Sequence, residues 1–289
     1  MIKGASKGDG LGNKFLSNIK EVDAIVQVVR CFENELIANV NDSVNPIRDV
    51  EIVETELILK DLENIEKSFI KLEKMAKRDA KLQERAQIAK LLKEHLESGK
   101  LASNFTFKSD DFFKYMNELQ LLTYKPIIYV ANMSENSQEN KDHYDKLKAY
   151  VDSKKGIVLP ICCELESQIG ELEDKEERNE FMKSMNMSEP SLNKLIRASY
   201  SKLNLVTFFT QGDTEVRAWD VKKNSTAPQA GSAIHSDFEE FFIKADVISY
   251  DDFMKYKSEE KCKAAKKIRS EGKEYIVQDG DIILFKKKN

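Results

Sequence analysis

One short run carries side chains that could read a nucleotide base, and a second only resembles a phosphate loop. "ANMSEN", residues 131–136, follows an apolar run and sets Asn132 three positions before Glu135. Beyond the end of a buried strand, an Asn amide can tie neighbouring loops together and contact a purine. An acid three positions on can accept a hydrogen bond from a base N–H. Asp in that place suits guanine, whose N1–H and 2-amino group it meets with both oxygens; Glu, one methylene longer, cannot sit in that geometry. The same pair also suits an ordinary Asx turn. "KGASKGDGLGNKF", residues 3–15, brings Gly4, Gly8, Gly10 and Gly12 together with three lysines. It contains no G-x-x-x-x-G-K-[ST], and no strand precedes it as a dinucleotide fingerprint requires. Its own residues read as a flexible N-terminal segment.

The elements that must position Asn132 and Glu135 follow from patterning. Residues 23–30, "DAIVQVVR", 126–132, "PIIYVAN", and 156–161, "GIVLPI", are β-branched runs without strict alternation, as in strands buried on both faces of a parallel sheet. A helical pattern over 141–151 separates the second from the third. Strand, helix, strand is the doubly wound order, with ligands beyond the strands' C-terminal ends. Residues 14–20 read as a short helix. Asn45-Pro46 reads as an N-cap with proline at the first helical position. Leu62, Ile65, Phe69 and Leu72 form one apolar stripe and Leu82, Ala86, Ala89 and Leu96 another, joined near residues 77–80. Two narrow stripes amid dense Lys and Glu predict an antiparallel, coiled-coil-like helical hairpin projecting into solvent. Ser109-Asp110-Asp111 caps a further helix ending before Lys125-Pro126, and Ser188-Glu189-Pro190 opens the next.

After residue 202 the pattern changes. "LVTFFTQ" and "EVRAWDV" read as paired strands, "HSDFEEFFI" as a short helix, 245–250 as a strand and 259–271 as a helix. "EYIVQDGDIILFK" reads as a hairpin turning at Asp279-Gly280. This is a small α+β domain. The helix assigned to 259–271 gathers Lys261, Lys263, Lys266, Lys267 and Arg269, a cluster that fits either a phosphate backbone or a solvated, salt-bridged face. His235 reads as a capping or packing residue.

Composition narrows the classes. The chain has 289 residues, 33% of them charged, and a net charge of −4, so opposite charges are interspersed and no global argument favours nucleic acid. There is no apolar run of membrane-spanning length and no signal peptide. Four cysteines, with Cys162 and Cys163 adjacent, lack zinc or disulfide-framework spacing and read as reduced thiols of a cytoplasmic protein.

Over essentially its whole length the chain resembles the YchF subfamily of Obg-related P-loop NTPases, the Obg-like ATPases. "KGASKGDGLGNKFL" resembles the segment following that family's D-x-A-G-L-V motif, at the start of the second switch. "PIRDVEIVETELILKDLENIEK" resembles the entry to its inserted helical domain, and "KPIIYVANMSE" its N-x-x-E base-recognition motif. "EVRAWDV", "APQAGSAIHSDFEEFFIKADVISYDDF" and "YIVQDGDIILFK" resemble its C-terminal TGS domain, a ubiquitin-like β-grasp. The resemblance implies a G domain over 1–60 and 109–202, a hairpin inserted at 61–108, and a TGS domain over 203–289.

It also implies nucleotide-base contacts by Asn132, Met133, Glu135, Cys162 and Cys163, with ATP preferred over GTP. The two cysteines stand where the family usually has Ser and a small residue, so backbone contacts to a base would survive and side-chain bonds would weaken. A redox switch through the vicinal thiols is the alternative, disfavoured because adjacent cysteines bridge only by distorting the backbone. A TGS domain implies ribosome or RNA contact, here through the basic cluster and the hairpin. The family's phosphate loop, first switch and metal-sensing Asp-x-x-Gly have no counterpart in these residues. The chain by itself is therefore expected neither to hydrolyse ATP or GTP nor to hold them tightly with Mg²⁺. The strand at 24–30, lacking its family neighbour, is expected to present an open edge, so that the first 60 residues either self-associate through it, are covered by a rearranged N-terminal segment or are poorly ordered.

Overall fold

The computed structural model of the chain describes residues 10–34, 36–37, 43–77, 79, 82–135, 141–212 and 215–288. The fold is mixed α/β, and its contacts divide it into two compact units, Met1–Ser199 and Tyr200–Asn289.

In the first unit, helix α1 (Gly10–Glu21) leads to β1 (Ile25–Arg30), so Gly10 and Gly12 of the glycine-rich run lie in a helical turn. Residues 3–9 of that run fall outside the described residues. Helix α2 (Pro46–Ala76) opens as its sequence dictates: the Asn45 side chain accepts from Arg48 N and Pro46 occupies the first turn. With no glycine or further proline it continues unbroken for 31 residues. Its first half packs Val50 on the sheet and Leu57 on Leu16 of α1. Its second half packs Ile65, Phe69 and Leu72 against Ile88, Ala89, Leu92 and Leu96 of α3 (Gln83–Glu97). One helix thus belongs to both the sheet layer and the hairpin. Gly99, at φ +76°, ends α3 in the left-handed region.

Helix α4 (Phe112–Leu119) adds Phe112, Tyr115 and Met116 to the hairpin core. A 3₁₀ turn, Leu122–Tyr124, follows, and the fully buried Asp61 of α2 holds it. Asp61 Oδ1 accepts from Leu122 N at 2.8 Å, and Oδ2 accepts from Thr123 N at 2.8 Å and Thr123 Oγ1 at 2.7 Å.

Strand β2 (Ile127–Asn132), α5 (Lys141–Ser153) and β3 (Ile157–Ile161) come next, with β1-β2-β3 forming a parallel sheet. The central β2 is buried along its length. On one face Tyr129 reaches α2, donating to Glu54 Oε1 at 2.8 Å, while Lys154 donates to Glu54 Oε2 at 2.6 Å. Among the described residues β1 pairs only with β2, and it exposes Val26 (42%) and Val28 (58%). Helices α6 (Cys163–Glu171), α7 (Lys175–Ser184) and α8 (Ser191–Leu203) complete the run. Glu166 caps α8, accepting from Ser191 N at 2.6 Å.

The second unit is a five-stranded mixed sheet. Strands β4 (Leu205–Gln211) and β5 (Val216–Lys222) are antiparallel, helices α9 (Ala227–Ser232) and α10 (Asp237–Glu240) follow, and β6 (Phe242–Ile248), α11 (Tyr250–Tyr256), α12 (Glu259–Ala264), β7 (Arg269–Glu271) and β8 (Ile282–Lys287) close it in the order β5-β4-β8-β6-β7. Phe285 centres the core, its ring 5.7 Å from Phe208, 6.0 Å from Phe238 and 6.5 Å from Phe242.

Two sequence expectations fail in this unit. Helix α12 ends at Ala264 because Lys266 turns left-handed, at φ +56°, and Lys267 N folds back to Cys262 O. Residues 269–271 instead pair with β6. Asp279-Gly280 does form a turn, with Gly280 at φ +83°, but no hairpin: β8 pairs with β4 and β6. The preceding stretch is held elsewhere, by Ala227 N to Tyr275 O and Val277 N to Ser225 O.

Candidate nucleotide-base site

Parallel register places Arg30, Asn132 and Ile161 side by side at the C-terminal ends of β1, β2 and β3. Two more bonds carry the ladder past the strands: Cys31 N donates to Asn132 O, and Met133 N to Ile161 O, each at 2.9 Å. The row of strand ends is therefore rigid up to the point where a ligand would sit.

Asn132 has a second role there. The first N–H groups of a helix lack intrahelical partners, and Cys162, the cap residue of α6, makes no side-chain cap bond. Asn132 Oδ1 fills the place by accepting from Cys163 N at 3.1 Å. An amide whose oxygen is so committed turns its N–H₂ the other way, as a donor suited to a purine acceptor.

Met133 is buried beside this row, and Glu135 is exposed in the loop beyond it. Cys162 is half-buried and Cys163 exposed at the start of α6. Burial, aided by the neighbouring Cys162 and Glu166, pushes the Cys163 thiol up, away from thiolate chemistry. Cys31 is fully buried and its thiol is pushed up to about 12 by burial, with Asp49 adding to it.

Pattern reading overlooked Arg30, whose guanidinium fans onto three carbonyls: Phe32 O at 2.9 Å, Asn34 O at 3.0 Å and Ile37 O at 3.1 Å. It organises the loop after β1 beside Asn132. A lone Arg closing an apolar strand carries no periodic signal that would have marked it.

The five basic residues of the second unit do not share a helix. Lys261 and Lys263 lie on α12, Lys266 and Lys267 in the turn after it, and Arg269 on β7. Lys267 pairs with Asp252 at 3.2 Å, and Arg269 with Glu271 at 3.1 Å and Asp281 at 3.7 Å, also donating to Tyr275 Oη. Those two charges serve the fold, leaving Lys261, Lys263 and Lys266 exposed. Among the described residues no group of three His, Cys, Asp or Glu side chains is placed to hold a metal ion, and no helix is long and apolar enough to cross a membrane.

Known proteins resemble this arrangement along nearly all of the chain. A family model of the YchF-GTPase C-terminal region, described as a protein of unknown function (DUF933), matches residues 205–288. The ribosome-binding ATPase YchF of Escherichia coli O157:H7 is 46% identical over 289 residues, covering 99% of this chain and 78% of that protein. The protein of the same name from Bacillus subtilis (strain 168) is 44% identical over 290 residues, covering 99% and 79%. The solved structure of the Schizosaccharomyces pombe YchF GTPase superposes with a TM-score of 0.84 at 38% identity, covering 99% of this chain and 78% of that one.

Proposed function

Because this chain belongs to the YchF family of Obg-related P-loop NTPases, we propose that the ends of β1–β3 read the base of a purine nucleotide, with ATP preferred over GTP, in a protein that works at the ribosome. The relatives' names divide between ATPase and GTPase. Glu135 favours adenine, since a Glu cannot form the paired contact to guanine that an Asp makes. The observation that carries the reading is Asn132, fixed by Cys163 N with its amide N–H₂ left to donate. Met133 supplies apolar surface beside the base, and Cys162 and Cys163 border it at the start of α6.

The residues fit the base half of such a site. Phosphates and Mg²⁺ belong to a G-x-x-x-x-G-K-[ST] loop, which does not occur in these 289 residues, so no step is assigned to them here. The domains on this reading are a G domain over 1–60 and 109–202, an inserted hairpin over 61–108 and a TGS β-grasp over 203–289, in a cytoplasmic protein. Ribosome contact falls to the hairpin and to Lys261, Lys263 and Lys266. A non-catalytic interaction module that binds ribosomes without nucleotide is the second reading, favoured by the exposed Lys261, Lys263 and Lys266.

Asn132→Asp tests the proposal. It keeps the acceptor for Cys163 N and so the fold, but replaces the donating amide with a charge that repels purine acceptors. Loss of a donor plus repulsion amounts to about 2 kcal/mol, or roughly 30-fold in affinity. Unchanged adenine-nucleotide affinity in equilibrium dialysis of the chain joined to a phosphate-loop segment would remove Asn132 from the role and leave the second reading.

A further inference from the structure

Arg217 and Trp219 stand two residues apart on β5, hence on one face of the strand, and both line a cavity of about 480 Å³ in the second unit. The guanidinium carbon lies 4.1 Å from the indole centroid. The indole N–H donates to Thr210 Oγ1 at 2.8 Å, which fixes the ring against β4. Ile234 and Phe238 add apolar wall. Trp219 is half-buried and Arg217 exposed, so the pair meets solvent through the cavity.

Arg217 is used differently from its counterparts. Every other described arginine donates to a carboxylate or a backbone carbonyl: Arg30, Arg48, Arg85, Arg178, Arg197 and Arg269. Arg217 has only the indole beneath it and no carboxylate partner among the described residues. A planar cation over an aromatic ring keeps N–H groups for an anion and presents, with the ring, a surface on which a base can stack. The cavity is of ordinary small-ligand size.

We propose that this cavity takes an unpaired nucleotide, its base stacked against the Arg217–Trp219 pair and its phosphate on the guanidinium edge. Single-stranded RNA or a free nucleotide could supply that chemistry. The site needs neither Asn132 nor Glu135, and rests on the ribosome reading only for where such RNA would be met.

Trp219 is the one tryptophan in the sequence, so its emission reports the site directly. The full chain is titrated with an eight-nucleotide oligoadenylate and, separately, with AMP, while ribosome pelleting is followed in parallel. Saturable quenching by the oligonucleotide with AMP at least tenfold weaker assigns the site to RNA; comparable quenching by AMP assigns it to a free nucleotide. Arg217→Ala should weaken binding about tenfold, as loss of one stacked base does elsewhere. Arg217→Lys keeps the charge but not the plane and should fall short of wild type. No saturable quenching by either probe, or an Arg217→Lys variant binding like wild type, overturns the proposal. Pelleting that persists without quenching would sink this site and leave the ribosome reading intact.

Discussion

Replacing Asp61 should unfasten the hairpin from the sheet unit. The carboxylate is fully buried and receives three donors within 2.8 Å, two of them backbone N–H groups of the 122–124 turn. Thr123 Oγ1, the third, itself accepts from Ala102 N at 3.0 Å, so the loss reaches a second segment. Each buried donor left unsatisfied costs about 1–3 kcal/mol. Asp61→Ala should therefore destabilise the chain by about 4 kcal/mol, a large share of a typical domain's stability. Asp61→Asn keeps an acceptor for Leu122 N but sets an N–H₂ against the Thr123 N–H, and should cost about half as much. Burial raises the Asp61 carboxyl above the ordinary Asp range, and the Thr123 and Leu122 bonds pull it back only in part. The folded state thus holds its proton to higher pH than the unfolded one. This group's contribution is full below the unfolded pKa and is lost as pH rises through the folded one, so the deficit of Asp61→Asn should narrow from acid to neutral pH. Urea unfolding followed by far-ultraviolet circular dichroism measures both effects. A cost below about 1 kcal/mol for Asp61→Ala would show that water replaces the carboxylate and that the account of this joint is wrong.

Two further outcomes follow from the first unit. Residues 1–289 by themselves should show no Mg²⁺-dependent ATP or GTP hydrolysis above background, since they hold no phosphate-loop sequence; turnover that copurifies and vanishes on substituting Glu135 would refute this. The edge of β1 left unpaired among the described residues, with Val26 and Val28 exposed, should make the same polypeptide self-associate, and Val28→Lys should return it to a monomer in light scattering. A wild-type monomer with β1 amides as protected from exchange as those of β8 would mean that the edge is already satisfied.

Sequence patterning carried far where local chemistry decides the structure. Asn45-Pro46 set the start of α2, and three unalternating apolar runs set the parallel strands whose ends align Asn132. It failed where distant partners decide. Lys266 takes a left-handed conformation that no glycine announces, ending a helix that composition would continue into 271. The Asp279-Gly280 signal was sound as a turn, but residues 275–277 bond to 225–227 across a long loop, which no local pattern encodes. At the candidate site, Asn132 and Glu135 were legible from spacing. The Asn132 bond to Cys163 was not, because it joins residues 31 apart in sequence. Arg217 and Trp219 looked like alternating strand residues, and only their shared cavity distinguishes them.

The central claim is that Glu135 selects adenine over guanine at a base site organised by Asn132. The direct measurement is competition of ATP against GTP for the chain joined to a phosphate-loop segment, comparing wild type with Glu135→Asp. The account predicts that wild type prefers ATP and that Glu135→Asp shifts the ratio toward GTP by about tenfold, the worth of one bidentate hydrogen-bonded contact of about 1.4 kcal/mol. An ATP/GTP ratio that is the same in both proteins would contradict it.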